Sequence, residues 1–127
     1  MNRSKCDSET MITTGIGFVS FVVKNKKVVS VDPDEVTPDT NGNIVMTVTS
    51  EDPGVDWHFR DPHPIEVDHP HDFTVGPGGG TVVNVHDTSA DKHIYPTHHY
   101  TAFFESSRGD VIRPDALEFD PVIKDHN

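Results

Sequence analysis

The stretch GIGFVSFVVKNKKVVSV, residues 15–31, decides the fold class of this chain. Its first part, Gly15–Val23, places apolar side chains on both faces of an extended strand, which is typical of a β-strand buried on two sides. The polar residues Asn25 and Lys26 interrupt this pattern, and a second β-branched run, Val28–Val31, follows. Two such runs around a short polar turn predict a β-hairpin.

The rest of the chain keeps the period of two residues that β-strands show. The run 44–49 alternates apolar and polar side chains, and Trp57 and Phe59 lie on the face opposite to His58. No window of about eleven residues keeps the apolar stripe of an amphipathic helix. About seven or eight short strands between Gly and Pro turns predict an all-β fold, an antiparallel β-sandwich. Further strands are predicted over residues 55–59, 81–85, 100–104 and 117–123.

The length of 127 residues fits one domain that folds without covalent cross-links. We expect a flexible N-terminal leader over residues 1–14 and a single sandwich domain over residues 15–127. Cys6 is the only cysteine, so an internal disulfide is excluded. A lone thiol and the lack of a secretory pattern at the N-terminus lead us to expect a cytoplasmic protein.

Several short motifs together resemble the DP-EP family of small bacterial proteins, over roughly residues 15–125. This resemblance implies a cupredoxin-like or immunoglobulin-like β-sandwich, and the family has no assigned function. The chain departs from the family pattern at residues 34–38, where Glu-Pro would follow the first Asp-Pro. The motifs are Val31–Val36, Asn43–Thr49, the strand with Trp57 and Phe59, His99–Ala102 and Phe119–Ile123.

The charge of the chain limits its partners. Asp and Glu number 21 against 10 Lys and Arg, and the net charge is −11 with neutral histidines. Such a surface repels the phosphates of nucleic acids and anionic lipids, so we expect neither nucleic acid nor membrane as a partner. It favours cations. The nine histidines add side chains that bind metal ions and titrate near neutral pH.

Four histidines are candidate metal ligands: His69, His71, His86 and His98. On a strand, residues two apart point to the same side, so His69 and His71 could share an ion. His86 and His98, with His93 near them, could meet across neighbouring strands. A surface site of this kind would hold Zn, Ni or Cu weakly and with little selectivity. The alternative, which the sequence leaves open, is that these are solvated histidines of loops and strand edges.

Other chemistry finds no support in the sequence. A blue-copper site needs a cysteine beside two histidines, and Cys6 lies in the leader. The glycine-rich segment 76–80 leads into a strand and so lacks the helix N-terminus of a phosphate-binding loop. Hydrolase, zinc-protease and nucleotide-binding motifs are absent. We therefore predict no catalytic residues, and no cofactor other than a weakly bound metal ion.

The sequence favours a non-enzymatic binding or self-assembly module. Phe103 and Phe104 are adjacent, so one of them must face away from the core, where it could anchor a partner sheet. We therefore predict a homodimer with His58 or Phe103 near the contact. The alternative is a weak metal-binding or pH-responsive protein, and a third class is a metal-dependent enzyme with three protein ligands. Protonation of all nine histidines would bring the net charge to −2. We therefore expect association to increase as the pH falls through about 6.

Overall fold

A computed structural model describes residues 12–88 and 96–125 of the chain. The predicted leader falls largely on residues 1–11, which lie outside the described ranges, as do Cys6 and His93. Backbone pairing begins within the range predicted as leader. The carbonyl of Thr13 accepts a hydrogen bond of 3.0 Å from the amide of Glu35.

Thirteen β-strands make up the described part of the chain, which contains no α-helix and one 3-10 turn at Pro70–Asp72. The all-β prediction is therefore confirmed. The strands are β1 Thr14–Ile16, β2 Phe18–Lys24, β3 Lys27–Asp32, β4 Glu35–Thr37, β5 Asn43–Ser50, β6 Trp57–Phe59, β7 Ile65–Val67, β8 Phe73–Val75, β9 Val82–Asp87, β10 Thr97–Ala102, β11 Phe104–Ser106, β12 Val111–Ile112 and β13 Val122–Lys124.

The strands form three open sheets. The first has the order β3-β2-β5-β9-β8, the second β1-β4-β13-β10-β7 and the third β12-β11-β6. Only Phe103 separates β10 from β11. Its amide donates to the carbonyl of Pro64 and its carbonyl accepts from the amide of Arg60, so hydrogen bonding continues from the second sheet into the third.

Two details of the predicted fold are wrong. The pairing is mixed, because β2–β5, β1–β4 and β4–β13 are parallel pairs. The strands are also more numerous than seven or eight. The predicted strand over Gly15–Val23 divides at Gly17, whose φ of 71° interrupts the extended backbone. Strands β4, β7 and β12 have only two or three residues each and lie in turn-rich sequence, where alternation gives no signal.

The predicted hairpin is confirmed as β2 and β3, which pair antiparallel. Asn25 and Lys26 form its turn with φ values of 56° and 61°, as a two-residue turn between twisted strands requires. The carboxylate of Asp52 accepts the backbone N–H groups of both turn residues and the indole N–H of Trp57. The bonds from Lys26 and Asn25 stabilise its charged form and lower the pKa of Asp52 below the ordinary 3.8.

Buried apolar side chains from all three sheets form one hydrophobic core. At its centre three rings meet: Phe21 lies 6.2 Å from Phe59 and 5.2 Å from Phe104, and Phe59 lies 5.0 Å from Phe104, between ring centroids. Trp57 is buried beside them, while His58 is only partly buried. The predicted alternation of Trp57, His58 and Phe59 on β6 is thus confirmed. The contacts of Phe21 with Phe59 and Phe104 pack the first sheet against the third.

Strand β2 is buried on one face only, which contradicts the expectation of burial on both. Val19, Phe21 and Val23 point into the core, but Phe18 is 49% exposed on the other face and Val22 is half-buried. The described residues place no further layer over this face. The outer side of the first sheet therefore presents apolar side chains to the surroundings.

Candidate functional site

A buried histidine forms the centre of the polar cluster on β10. His98 has no exposed surface, whereas the next residue, His99, is exposed and contacts Asp120 with Nδ1 2.9 Å from Oδ1. Their opposite orientation agrees with the alternation expected of adjacent strand residues. His98 thus lies among core side chains, with the ring of Phe73 edge-on at 4.8 Å between centroids.

His98 contacts a polar group through each ring nitrogen. Its Nε2 lies 3.2 Å from Oδ2 of Asp125, which follows β13, and both side chains are almost fully buried. Its Nδ1 lies 3.1 Å from Nδ1 of His69. His69 precedes the 3-10 turn in a left-handed conformation, with φ and ψ both 57°, and the two imidazole rings meet at 80°.

The carboxylate determines where the protons lie. With Asp125 ionised, its carboxylate can only accept, and His98 then carries a proton on Nε2 and donates it to Asp125. When His98 is neutral its Nδ1 is then an acceptor, and the bond between the rings requires His69 to donate from Nδ1. When His98 is protonated it donates from both nitrogens and His69 accepts. Asp125, His98 and His69 therefore form a directional chain of hydrogen bonds.

The cluster places a carboxylate where water does not reach it. Asp125 is 7% exposed, and its Oδ1 has no hydrogen-bond partner among the described residues. A buried negative charge is costly unless a positive charge lies near it. A cationic group on the imidazole side would therefore balance this charge.

The structure brings only two of the four predicted metal ligands together. His71 is exposed, with Nε2 3.5 Å from Oδ1 of buried Asp72. His69 and His71 do not share a strand face, because this segment is a 3-10 turn. His86 lies on the outer face of β9, with Nδ1 3.0 Å from Oδ1 of Asn43. His98, on β10 of the second sheet, faces the core, whereas His86 faces outward from the first sheet.

Sequence reasoning missed Asp125, the carboxylate that completes the cluster. The available signal was its spacing, since Ile123 and Asp125 are two apart and both turn out to be buried. In residues 12–88 and 96–125, no group of three or more His, Cys, Asp or Glu side chains is arranged to hold a metal ion. His69 and His98 form a two-ligand arrangement in this described region, with their Nδ1 atoms 3.1 Å apart.

The second candidate site is the outer side of the first sheet, which we call the uncharged face. It comprises the outward-facing side chains of the three central strands. Apart from Lys24 at the end of β2, none of them is Asp, Glu, Lys or Arg, in a chain with 24% charged residues. The residues are Phe18, Ser20 and Val22 on β2, Asn43, Val45, Thr47 and Thr49 on β5, and Val82, Asn84 and His86 on β9.

The register of the strands aligns these side chains in rows. Phe18 pairs with Val45, which pairs with Asn84, and Thr47 has Val82 on its other side. Phe18 and Val82 are each 49% exposed. Charged residues begin only at the margins, with Lys24 and Lys27 at the hairpin end and Asp32 on edge strand β3. A flat, β-branched face of this kind suits contact with another sheet.

The two residues predicted at an interface lie elsewhere. His58 on β6 is partly exposed, with Nε2 3.7 Å from Oε1 of Glu105. Phe103 faces away from the core while Phe104 is buried, as the sequence predicts. The guanidinium of Arg60 lies 4.0 Å above the ring of Phe103, a cation–π contact that covers one side of it. Their role in an interface stays a prediction.

Tyr100 is the other buried polar side chain on β10. Its hydroxyl has no hydrogen-bond partner among the described residues. Burial raises the pKa of Tyr100 well above its ordinary value of 10, and the charge of Asp34 adds to this effect. The phenol is therefore neutral at physiological pH and cannot act as a base there.

Comparisons of the chain with family models, curated proteins and solved structures gave no match. The resemblance to the DP-EP family thus stays a prediction. Among the described residues there is no helix with the length and apolar character needed to cross a membrane.

Proposed function

We propose that this protein is a non-enzymatic self-assembly module that associates with a second copy of itself through the uncharged face. The observation that carries this proposal is the lack of Asp, Glu, Lys and Arg among the outward side chains of the three central strands. The segments concerned are Phe18–Val22 of β2, Asn43–Thr49 of β5 and Val82–His86 of β9. We also propose that the three sheets form the two layers of a cupredoxin-like or immunoglobulin-like β-sandwich.

The charge of the chain supports a second copy as the partner. Each copy carries a net charge of −11, so most ways of bringing two copies together place carboxylates near one another. The uncharged face avoids this repulsion. The same patch serves both copies about a two-fold axis, which is the commonest symmetry of homo-oligomers.

The sequence pattern of β2 supports the same conclusion. Its apolar residues on both faces indicate a strand covered on two sides, yet the described residues of one chain cover Val22 only in part and leave Phe18 49% exposed. A second copy would cover them and remove the exposed half of Phe18 and Val82 from water.

The size of the face sets the expected strength. Three strands at ~4.8 Å spacing and about six residues at ~3.3 Å each give roughly 14 by 20 Å, or about 280 Å². A standard interface buries about 800 Å² on each partner, so this one belongs to the small, transient class. We expect a dissociation constant on the order of 10–100 µM.

Sedimentation velocity of the untagged chain tests this proposal over concentrations from about 5 to about 500 µM, which bracket the expected constant. The weight-average mass should rise from 14.1 kDa towards that of a dimer. Added salt should strengthen association, because it screens the repulsion between two acidic copies. A mass of 14.1 kDa at every concentration, or dissociation by salt, would contradict the proposal.

A further inference from the structure

We propose that His69 and His98 bind one divalent transition-metal ion of the zinc class through their Nδ1 atoms, with Asp125 orienting His98 from behind. This inference is independent of self-association, because His98 faces the core and the uncharged face lies on the outer side of the first sheet.

The separation of the two nitrogens fits a shared ion. His69 Nδ1 and His98 Nδ1 are 3.1 Å apart. With zinc–nitrogen bonds of ~2.05 Å, two nitrogens at this distance enclose an angle of about 100° at the metal. This value lies between the angles of octahedral and tetrahedral coordination, so both nitrogens can belong to the same coordination shell once the rings turn their lone pairs from each other towards the ion.

The carboxylate prepares His98 for this role. Asp125 accepts the proton of Nε2, which leaves the lone pair of a neutral His98 on Nδ1, the atom that faces His69. Metal-bound histidines commonly donate their other ring N–H to a carboxylate in this manner, which fixes the tautomer and makes the ligand more basic. Sequence analysis gave no indication of this arrangement, since it depends on the packing of β10 against β13.

The electrostatics of the cluster favour a cation. Asp125 is buried and its Oδ1 has no hydrogen-bond partner among the described residues, so its charge is poorly balanced when both imidazoles are neutral. A divalent ion on His98 places positive charge on the far side of that ring. It replaces the proton that the two Nδ1 atoms otherwise share.

Two protein ligands give modest affinity. Since no third metal-binding side chain joins the pair within the described ranges, water would supply the remaining ligands. Acid should weaken binding, because protons compete for the same nitrogens. Within the described residues, the titratable groups that contact the pair include Asp125 beside His98, and the two imidazoles face each other.

The test is calorimetric titration of Zn²⁺ into the full untagged chain, freed of metal with a chelator, at pH about 7.5 and about 6. We expect one ion per chain, and at least about tenfold weaker binding at the lower pH. The variant His69→Asn should weaken binding at least about tenfold, and asparagine tolerates the left-handed backbone at this position. The matched control is His63→Asn, which should leave zinc affinity unchanged. His63 shares the left-handed backbone of His69, with φ 61°, but it precedes β7, whose Ile65 pairs with Ala102 at the end of β10 away from His98.

His98→Ala is a poor test because it removes a fully buried side chain. Nitrogen-15 spectra of the imidazoles in the native chain replace it. Zinc should shift the Nδ1 signals of His69 and His98 and leave Nε2 of His98 protonated. The proposal is overturned if no saturable binding occurs at about 100 µM Zn²⁺, if His63→Asn abolishes binding while His69→Asn does not, or if zinc shifts other histidines instead.

Discussion

Substitution of Val82 by glutamate separates contact through the uncharged face from a general effect of charge. Val82 is 49% exposed on β9 within this face, and Val111 is also 49% exposed, on β12 of the third sheet. Val82→Glu and Val111→Glu therefore change the same residue type at equal exposure and add the same charge. Only Val82→Glu places the added negative charge in the proposed contact.

The expected loss follows from the exposed fraction. Full burial of a valine side chain contributes about 1.5–3 kcal/mol, so the exposed half of Val82 contributes about 1 kcal/mol in each copy. The two-fold axis doubles this to about 2 kcal/mol of association free energy, or roughly 30-fold in the dissociation constant. Two glutamates brought together in the contact add to this loss. Val111→Glu should change the constant by less than about threefold, through general repulsion alone.

Sedimentation equilibrium of both variants and the native chain in the same buffer measures these constants. Thermal unfolding of each variant serves as the control that both keep the native fold. Equal weakening by Val82→Glu and Val111→Glu would refute the reasoning, since it would mean that total charge and not the uncharged face governs association.

Three further outcomes are expected. Phe104→Ala should destabilise the protein by about 3–5 kcal/mol in urea unfolding, whereas Phe103→Ala, which loses chiefly the contact with Arg60, should cost about 1 kcal/mol or less; similar losses would contradict the observed alternation. The pKa of Asp52 is lowered from 3.8, so the stability that its charged form contributes is complete above pH 3.8 and is lost as the pH falls through the lowered pKa. Asp52→Asn should therefore unfold more easily than the native chain at pH about 7. A stability difference between the two that persists unchanged in strong acid would argue against this role. Association, measured by sedimentation at pH about 7.5 and about 5.8 in equal salt, should increase as protonated histidines reduce the net charge of −11; identical masses would show that the histidines do not govern it.

Local alternation could be predicted from the sequence because a strand exposes its side chains with a period of two. The opposite facing of His98 and His99, and of Phe103 and Phe104, follows from adjacency alone. Likewise, the polar pair Asn25 and Lys26 between two β-branched runs predicted the hairpin.

Pairing between distant strands could not be predicted in the same way. Strands β2 and β5 are parallel neighbours although β3 of the same sheet and β4 of the second sheet separate them in sequence, and no local pattern records this crossing. The short strands β4, β7 and β12 owe their extended form to neighbours and have too few residues for a signal. Burial of β2 on one face only also depends on what the rest of the chain places above it.

In the candidate sites, too, the residue types could be predicted from the sequence and the contacts between distant residues could not. His69 and His98 were recognised as ligand types, but their contact spans 29 residues of sequence and depends on tertiary packing. Asp125 was missed because one carboxylate near the end of an acidic chain does not stand out. The uncharged face was hidden because its side chains come from three separate strands and meet only through their register.

The most direct test of the central claim is the concentration dependence of amide chemical shifts in the nitrogen-15-labelled chain. If the chain associates through the uncharged face, dilution from about 500 to about 10 µM should shift amides of β2, β5 and β9 around Phe18, Val45 and Val82, and leave those around His58 and Phe103 unchanged. Shifts confined to His58 and Phe103, or no shift across this range, would contradict association through this face.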